Sequence, residues 1–198
     1  MKSPGAAVAF GREFARKTIH LATAVIPLLY ARGVERQAML VILSLVSAVA
    51  FAVEAGRRVS PRVQRAFECT VGPLLRDREH RAITGATWLA VASLAIVLAV
   101  RTRPAVAALW CMTVGDPAAT LVGRGVSAMR RTNPSKTMIG SAACVLASFA
   151  GVWLVAGYDP LPAFAVAISV ALAERFPGPF DDNLTIAIAG TAAATLLA

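Results

Sequence analysis

Apolar residues run along this chain in long blocks, and polar residues gather in the gaps between them. The blocks cover about Thr18 to Tyr30, Gln37 to Val53, Ile83 to Val100, Ala105 to Val122, Met138 to Ala156, Ala163 to Ala173 and Leu184 to Ala198. They predict seven helices. A membrane span takes roughly 17 to 25 residues, so the first, sixth and seventh must be extended by flanking polar turns. The longest polar connection is Ala55 to Arg81. In it Ser60-Pro61 reads as an N-cap and first helical residue, and Val63, Phe67, Val71 and Leu74-Leu75 follow at helical spacing. Two readings stand side by side. It is an interfacial helix that sets Arg62, Arg65, Arg76 and Arg78 near phosphate headgroups, or a linker packed on the bundle.

Composition decides the class. Of 198 residues, 57% are hydrophobic and 16% charged, and the mean hydropathy is +0.65. These values lie outside the soluble globular range. The expected fold is all-α, a polytopic transmembrane bundle of about seven helices forming one integral-membrane catalytic domain over residues 1–198. No repeat, low-complexity tail or soluble second domain is evident. Before Arg12, Arg16 and Lys17 only Ala6 to Phe10 is apolar, so no cleavable signal is expected and the first helix stays. Cys111 and Cys144 lie within apolar runs and Cys69 in the basic linker, without metal-site or disulfide spacing.

The net charge of +9 is positional rather than a mark of nucleic-acid binding. With seven spans, 16 of the 20 Lys and Arg fall on one side; Arg32, Arg36, Arg101 and Arg103 fall on the other. The positive-inside rule then puts the N-terminus in the cytoplasm and the C-terminus outside. The protein is expected in a membrane, the cell membrane if its source is prokaryotic. The basic excess can also hold anionic headgroups.

Acidic residues stand where that architecture tolerates them least. A charge at bilayer depth costs at least about 2.5 to 3.5 kcal/mol, which makes such residues functional candidates. Asp116 lies inside Val114-Gly115-Asp116-Pro117-Ala118-Ala119, where Gly and Pro are expected to break the helix and open a cavity. A carboxylate there suits Mg²⁺, which takes one or two carboxylates together with substrate phosphates. Asp181-Asp182-Asn183, preceded by Glu174, opens the last apolar run. Capping a helix needs one of these residues, which leaves the others for a metal. Between them, Ser135-Lys136-Thr137 and Gly140-Ser141 supply a cation, hydroxyls and free backbone N–H groups for phosphate oxygens, without the spacing of a Walker loop. Near the start, Glu13, Arg16, Lys17 and His20 share one helical face, and His20 lies within the apolar run. By the topology above, all four segments fall at cytoplasmic helix ends, where a soluble nucleotide meets a membrane lipid.

Together these residues resemble the CTP-dependent polyprenol, phytol and diacylglycerol kinases, which are related to the phosphatidate cytidylyltransferases. The resemblance rests on Arg16-Lys17-x-x-His20, Gly115-Asp116-Pro117-Ala118-Ala119 with Val122-Gly123-Arg124, Lys136-Thr137-x-x-Gly140-Ser141, and Glu174 followed by Asp181-Asp182-Asn183-Leu184-Thr185-Ile186. These stand in the family's order across nearly the whole chain. One departure is Ala187, where the family commonly has Pro. Gly115 to Ser141 is also similar to the cytidylyltransferase signature, but the ending that goes with that branch is not found.

The resemblance implies transfer of the γ-phosphoryl group of CTP to the hydroxyl of a membrane lipid alcohol, at a site facing the cytoplasm. It implies catalytic Asp116, Lys136, His20 and Asp182. It further implies phosphate contacts from Arg16, Lys17, Arg124, Ser135, Lys136, Thr137, Gly140 and Ser141, and Mg²⁺ at Asp116, Asp181, Asp182, Glu174 and Asn183. The proton acceptor is left between His20 and a carboxylate. CTP rather than ATP follows from the resemblance alone. Two other readings remain: CDP-lipid synthesis, which releases pyrophosphate, and a cation transporter or scaffold, which turns over no nucleotide. The residues select neither the alcohol nor an oligomeric state; Gly151, Gly157 and Gly190 form no Gly-x-x-x-Gly pair.

Overall fold

A computed structural model describes residues 4–130, 136–176 and 181–198, apart from the side chains of residues 4–10, 78 and 128–130. It is all-α, 85% helical, and has no strand among the described residues. Helices α1 (Pro4–Ala22) and α2 (Val25–Ala31) carry the first apolar run, and α3 (Arg36–Val59) the second. The polar connection forms α4 (Pro61–Thr70) and two short 3₁₀ turns. Then come α5 (Gly85–Ala99), α6 (Thr102–Trp110), a π-helical turn (Cys111–Gly115), α7 (Asp116–Arg130), α8 (Met138–Leu154), α9 (Pro160–Arg175) and α10 (Asp182–Leu196).

Each apolar run lies largely in helix, but among the described residues runs and helices do not match one to one. The first run is divided at Thr23-Ala24, where the Thr23 hydroxyl and N–H both donate to the His20 carbonyl. The fourth differs in the opposite sense. Gly115-Asp116-Pro117 does not break the helix, which runs on from Thr102 to Arg130. Pro117 has no N–H to give and crowds the carbonyl four residues back. The wider π turn absorbs the mismatch: the Asp116 N–H reaches the Cys111 carbonyl, five residues back.

Two rods, Arg36–Val59 and Thr102–Ser127, are long and apolar enough to cross a membrane. They are used differently. The second is the core: Ala105, Ala107, Ala108, Leu109, Cys111 and Met112 are fully buried among α8, α9 and α10. The first is only 22% buried over its apolar window, and Val41, Leu45, Val46, Val49 and Phe51 point outward. An apolar face of that length is not left to water in a stable soluble protein.

Small residues let α7 and α8 cross closely. A Cβ on Gly140 would lie 2.7 Å from the Ala119 carbonyl, and one on Gly123 would lie 2.8 Å from the Thr137 hydroxyl. Backbone cannot yield as a side-chain tip can. Gly140→Ala is therefore expected to destabilise the bundle by about 1–3 kcal/mol, the usual cost of overpacking. A lowered thermal midpoint in detergent would show it; an unchanged one would mean that the crossing is loose.

A second device fixes the loop before α5. Arg57 donates to Glu54 and to the carbonyls of Glu79, His80 and Ala82, while Glu54 accepts the Thr84 N–H at 2.8 Å. Glu54 and Arg57 are both buried. Arg57→Met leaves the buried Glu54 carboxylate with only the exposed Arg58, 3.8 Å away, as a countercharge, and a loss of about 3 kcal/mol is expected, read by chemical or thermal unfolding.

In the polar connection α4 has no buried residue and Val63 is exposed, while the later part of the stripe turns inward. Phe67, Val71, Leu74 and Leu75 face a cavity between α1, α3 and α5, and the Arg57 guanidinium lies 5.2 Å from the Phe67 ring centre. Ser60 precedes α4 as expected, with Pro61 in its first turn, but its side chain makes no capping bond. All three cysteines are free thiols, Cys111 and Cys144 buried and Cys69 exposed.

Candidate active site

The end of the bundle formed by α1, the start of α7, the start of α8, the end of α9 and the start of α10 gathers most of the candidate side chains. Two cavities meet there. The larger, about 500 Å³, runs between α1, α3, α4 and α5 and is mainly apolar, with Arg16, Lys17, His20, Asp116, Asp181, Asp182 and Asn183 at one end. The smaller, about 100 Å³, is polar: Arg124, Lys136, Thr137, Ser141, Glu174 and Glu13 contribute to its wall. Asp116, Asp182 and Arg76 line both.

Asp116 is 2% exposed. It is held where the π turn passes into α7, so its carboxylate projects from the crossing of α1 and α7. A carboxylate this deep needs a countercharge. Lys17, itself 5% exposed, donates to its Oδ2. In this structure the Lys17 ammonium neutralises Asp116. His20 Nδ1 lies 3.7 Å from the same oxygen, and His20 Nε2 is buried without a hydrogen-bond partner.

Arg16 is likewise occupied, by Glu13 at 2.6 Å and Glu79 at 3.8 Å, and it lines only the larger cavity. Burial disfavours the ionised Glu13 carboxyl, but the guanidiniums of Arg16, Arg76 and Arg124 outweigh it and hold the pKa below the ordinary value. The cationic wall of the small cavity is thus partly balanced by its own acid.

Lys136 reaches the far side. Its ammonium donates to the Glu174 carbonyl, lies 3.2 Å from Glu174 Oε1 and stands 4.0 Å from Asp182 Oδ1. Thr137 is the N-cap of α8 and accepts the Gly140 N–H at 3.0 Å. Gly140 lines the small cavity and also sits at the close crossing of α7 and α8. Ser141 Oγ is buried and unpartnered on the cavity wall. Ser135 lies outside the described residues.

At the start of α10 the three polar residues divide their tasks. Asp181 caps the helix: its Oδ1 accepts the Asn183 N–H at 3.1 Å and the Asn183 side-chain amide at 2.9 Å. Asp181 lines the larger cavity and not the smaller. Asn183 also donates to the Gly85 carbonyl at 3.3 Å, which leaves its Oδ1 buried without a partner. Asp182 is the acid that faces both cavities, with Glu174 beside it across the smaller one. Among the described residues, no three His, Cys, Asp or Glu side chains converge as a ready-made metal cage.

Arg76 is a residue that the sequence reading did not assign to the site. It was expected at headgroups, as one of several loop arginines. The structure brings it 3.6 Å from Glu13, where it lines both cavities. Nothing in its local sequence sets it apart from Arg78 or Arg81. No protein-family model matches this chain, and no curated protein or solved structure is significantly similar to it.

Proposed function

We propose that this protein is an integral-membrane lipid kinase that transfers the γ-phosphoryl group of CTP to the hydroxyl of a membrane alcohol, at the cytoplasmic ends of its helices. The observation that carries the reading is the shared wall. A deep apolar cavity and a small cationic one meet at Asp116 and Asp182, so a lipid and a polyphosphate in them would touch at a pair of acids. Membrane insertion is supported by the exposed apolar face of α3 and by the one-sided distribution of Lys and Arg.

The donor set fits Mg²⁺. Asp116 and Asp182 are two carboxylates on one small cavity, and the unpartnered Asn183 Oδ1 is a neutral oxygen nearby in sequence and fold. Mg²⁺ asks for few protein ligands because phosphates and water complete its shell. Asp116 and Asp182 would hold the ion, with Glu174 and Asn183 supporting them. When bound, it would supply charge neutralisation across the phosphates. Arg124, Lys136, Thr137 and Ser141 bind phosphate oxygens. Arg76 faces the line between donor and acceptor.

The alcohol oxygen attacks the γ-phosphorus, the bond to the β–γ bridging oxygen breaks, and CDP leaves. The hydroxyl proton passes to His20 Nε2, whose imidazole faces Asp116 through Nδ1. Positioning and charge placement do most of the work in such a transfer. Phe67, Leu74 and Leu75 give the acceptor cavity an apolar lining.

The test is turnover of γ-labelled CTP and ATP by purified protein with Mg²⁺ and a panel of lipid alcohols. Label in an organic-soluble product, with CDP released, is the expected result. Pyrophosphate released on adding phosphatidate would instead make it a cytidylyltransferase. Metal binding without any nucleotide turnover would make it a non-enzymatic cation protein.

A further inference from the structure

Where the two cavities adjoin, a carboxylate is held between guanidiniums. Glu13 lines only the smaller cavity, Arg16 only the larger, and Arg76 both. One oxygen serves the two arginines: Glu13 Oε1 accepts from Arg16 Nη2 at 2.6 Å and lies 3.6 Å from Arg76 Nη2. Glu13 thus places a negative charge at the junction of the acceptor side and the donor side.

The surroundings have more to give than one carboxylate takes. The Arg76 contact is longer than a hydrogen bond. Arg16 Nε is buried without a partner, and so is Ser141 Oγ on the wall of the smaller cavity, to which Arg124 and Lys136 also contribute. Buried donors are ordinarily paired, so an acceptor is wanted here. A phosphoryl group brings three strong acceptor oxygens.

Arg76 is fixed in advance. It stands between the two 3₁₀ turns, Gly72–Leu74 and Asp77–His80. Its own N–H donates to Glu79 Oε2 at 2.7 Å, and Glu79 Oε1 accepts the Gly85 N–H at 2.8 Å. Glu79 is buried. A backbone tied in this way to the start of α5 presents its guanidinium with little ordering left to do when a ligand arrives.

We propose that the Glu13 carboxylate holds the place of a phosphoryl group, and that Arg16 and Arg76 release it in exchange for the γ-phosphoryl of the nucleotide; that the group is the γ-phosphoryl rests on the kinase reading above. Arginine suits such an exchange, because its planar fork meets carboxylate and phosphate oxygens in the same geometry. Both anions cannot stay, since like charges a few ångströms apart repel. Glu13 is therefore a built-in competitor. It keeps the guanidiniums paired while nucleotide is absent and weakens the binding of any polyphosphate that takes its place.

The experiment titrates inorganic tripolyphosphate, which needs no turnover, into full-length protein in nanodiscs of neutral lipid and reads affinity by calorimetry. Glu13→Gln keeps the shape of the side chain and removes its charge, and it is expected to tighten binding by about tenfold. Glu13→Ala is expected to do the same. Adding Arg76→Gln to either is expected to remove the gain. If Glu13 only braces the two arginines, Glu13→Gln lowers the melting temperature and leaves tripolyphosphate binding unchanged or weaker, and the proposal falls. A gain for dihexanoyl phosphatidate but none for tripolyphosphate would put a lipid phosphate at the junction and overturn it as well. Failure of the kinase reading looks different: the gain in affinity appears, yet the parent protein transfers no phosphate from CTP to any alcohol. Turnover by the parent with no gain in Glu13→Gln would sink the exchange alone.

Discussion

Asp116→Asn is expected to lower phosphoryl transfer by about 100- to 1,000-fold, the usual loss when one preorganised electrostatic group is taken from a reacting centre. The amide keeps the shape of the side chain and removes its charge. Asp116 is also the partner of buried Lys17, so the same change strands an ammonium and costs about 3–5 kcal/mol in stability. The two effects separate in the double variant Lys17→Met/Asp116→Asn. With both charges gone it is expected to melt near the parent temperature yet stay inactive. Initial rates with γ-labelled CTP beside thermal unfolding make the comparison. Recovery of turnover in the double variant would reduce Asp116 to a scaffold residue.

Lys136→Met comes second in size. A hydrogen bond to a charged group is worth about 1.5–3 kcal/mol, so loss of a phosphate contact here is expected to lower kcat/KM for the nucleotide by roughly 10- to 100-fold, with KM for the lipid unchanged. The geometry also offers a competing role, because the ammonium ties the end of α9 to the start of α10 through Glu174 and Asp182. If Lys136 is only that strut, the melting temperature falls and the nucleotide KM does not move.

How much of this was readable beforehand divides along physical lines. The helical class followed from apolar runs that leave few other folds open. The gathering of Lys17, Asp116, Lys136, Glu174 and Asp182 at one end was expected from helices that alternate in direction, which sets every second polar gap on the same side. What local pattern could not carry was pairing at long range. Lys17 and Asp116 are far apart in sequence, and nothing near either names the other. Continuity through Gly115-Asp116-Pro117 depends on one widened turn upstream, which a reading of Gly and Pro as breakers misses. Gly140 had the look of a phosphate cradle because a glycine beside a helix start suits either an anion or a close crossing, and only the position of the Ala119 carbonyl reveals the crossing. Asp181 and Asp182 are adjacent and chemically identical; the helix start assigns one to its own backbone and turns the other toward the cavities.

The partition formed by Asp116 and Asp182 carries a consequence for the order of events. On the kinase reading, a wall shared by two cavities lets donor and acceptor lie side by side, so direct transfer with both substrates bound is the expected order. Double-reciprocal plots of rate against nucleotide, taken at several alcohol concentrations, are expected to intersect. Parallel lines, the mark of a phosphorylated protein intermediate, would require one cavity to empty before the other fills.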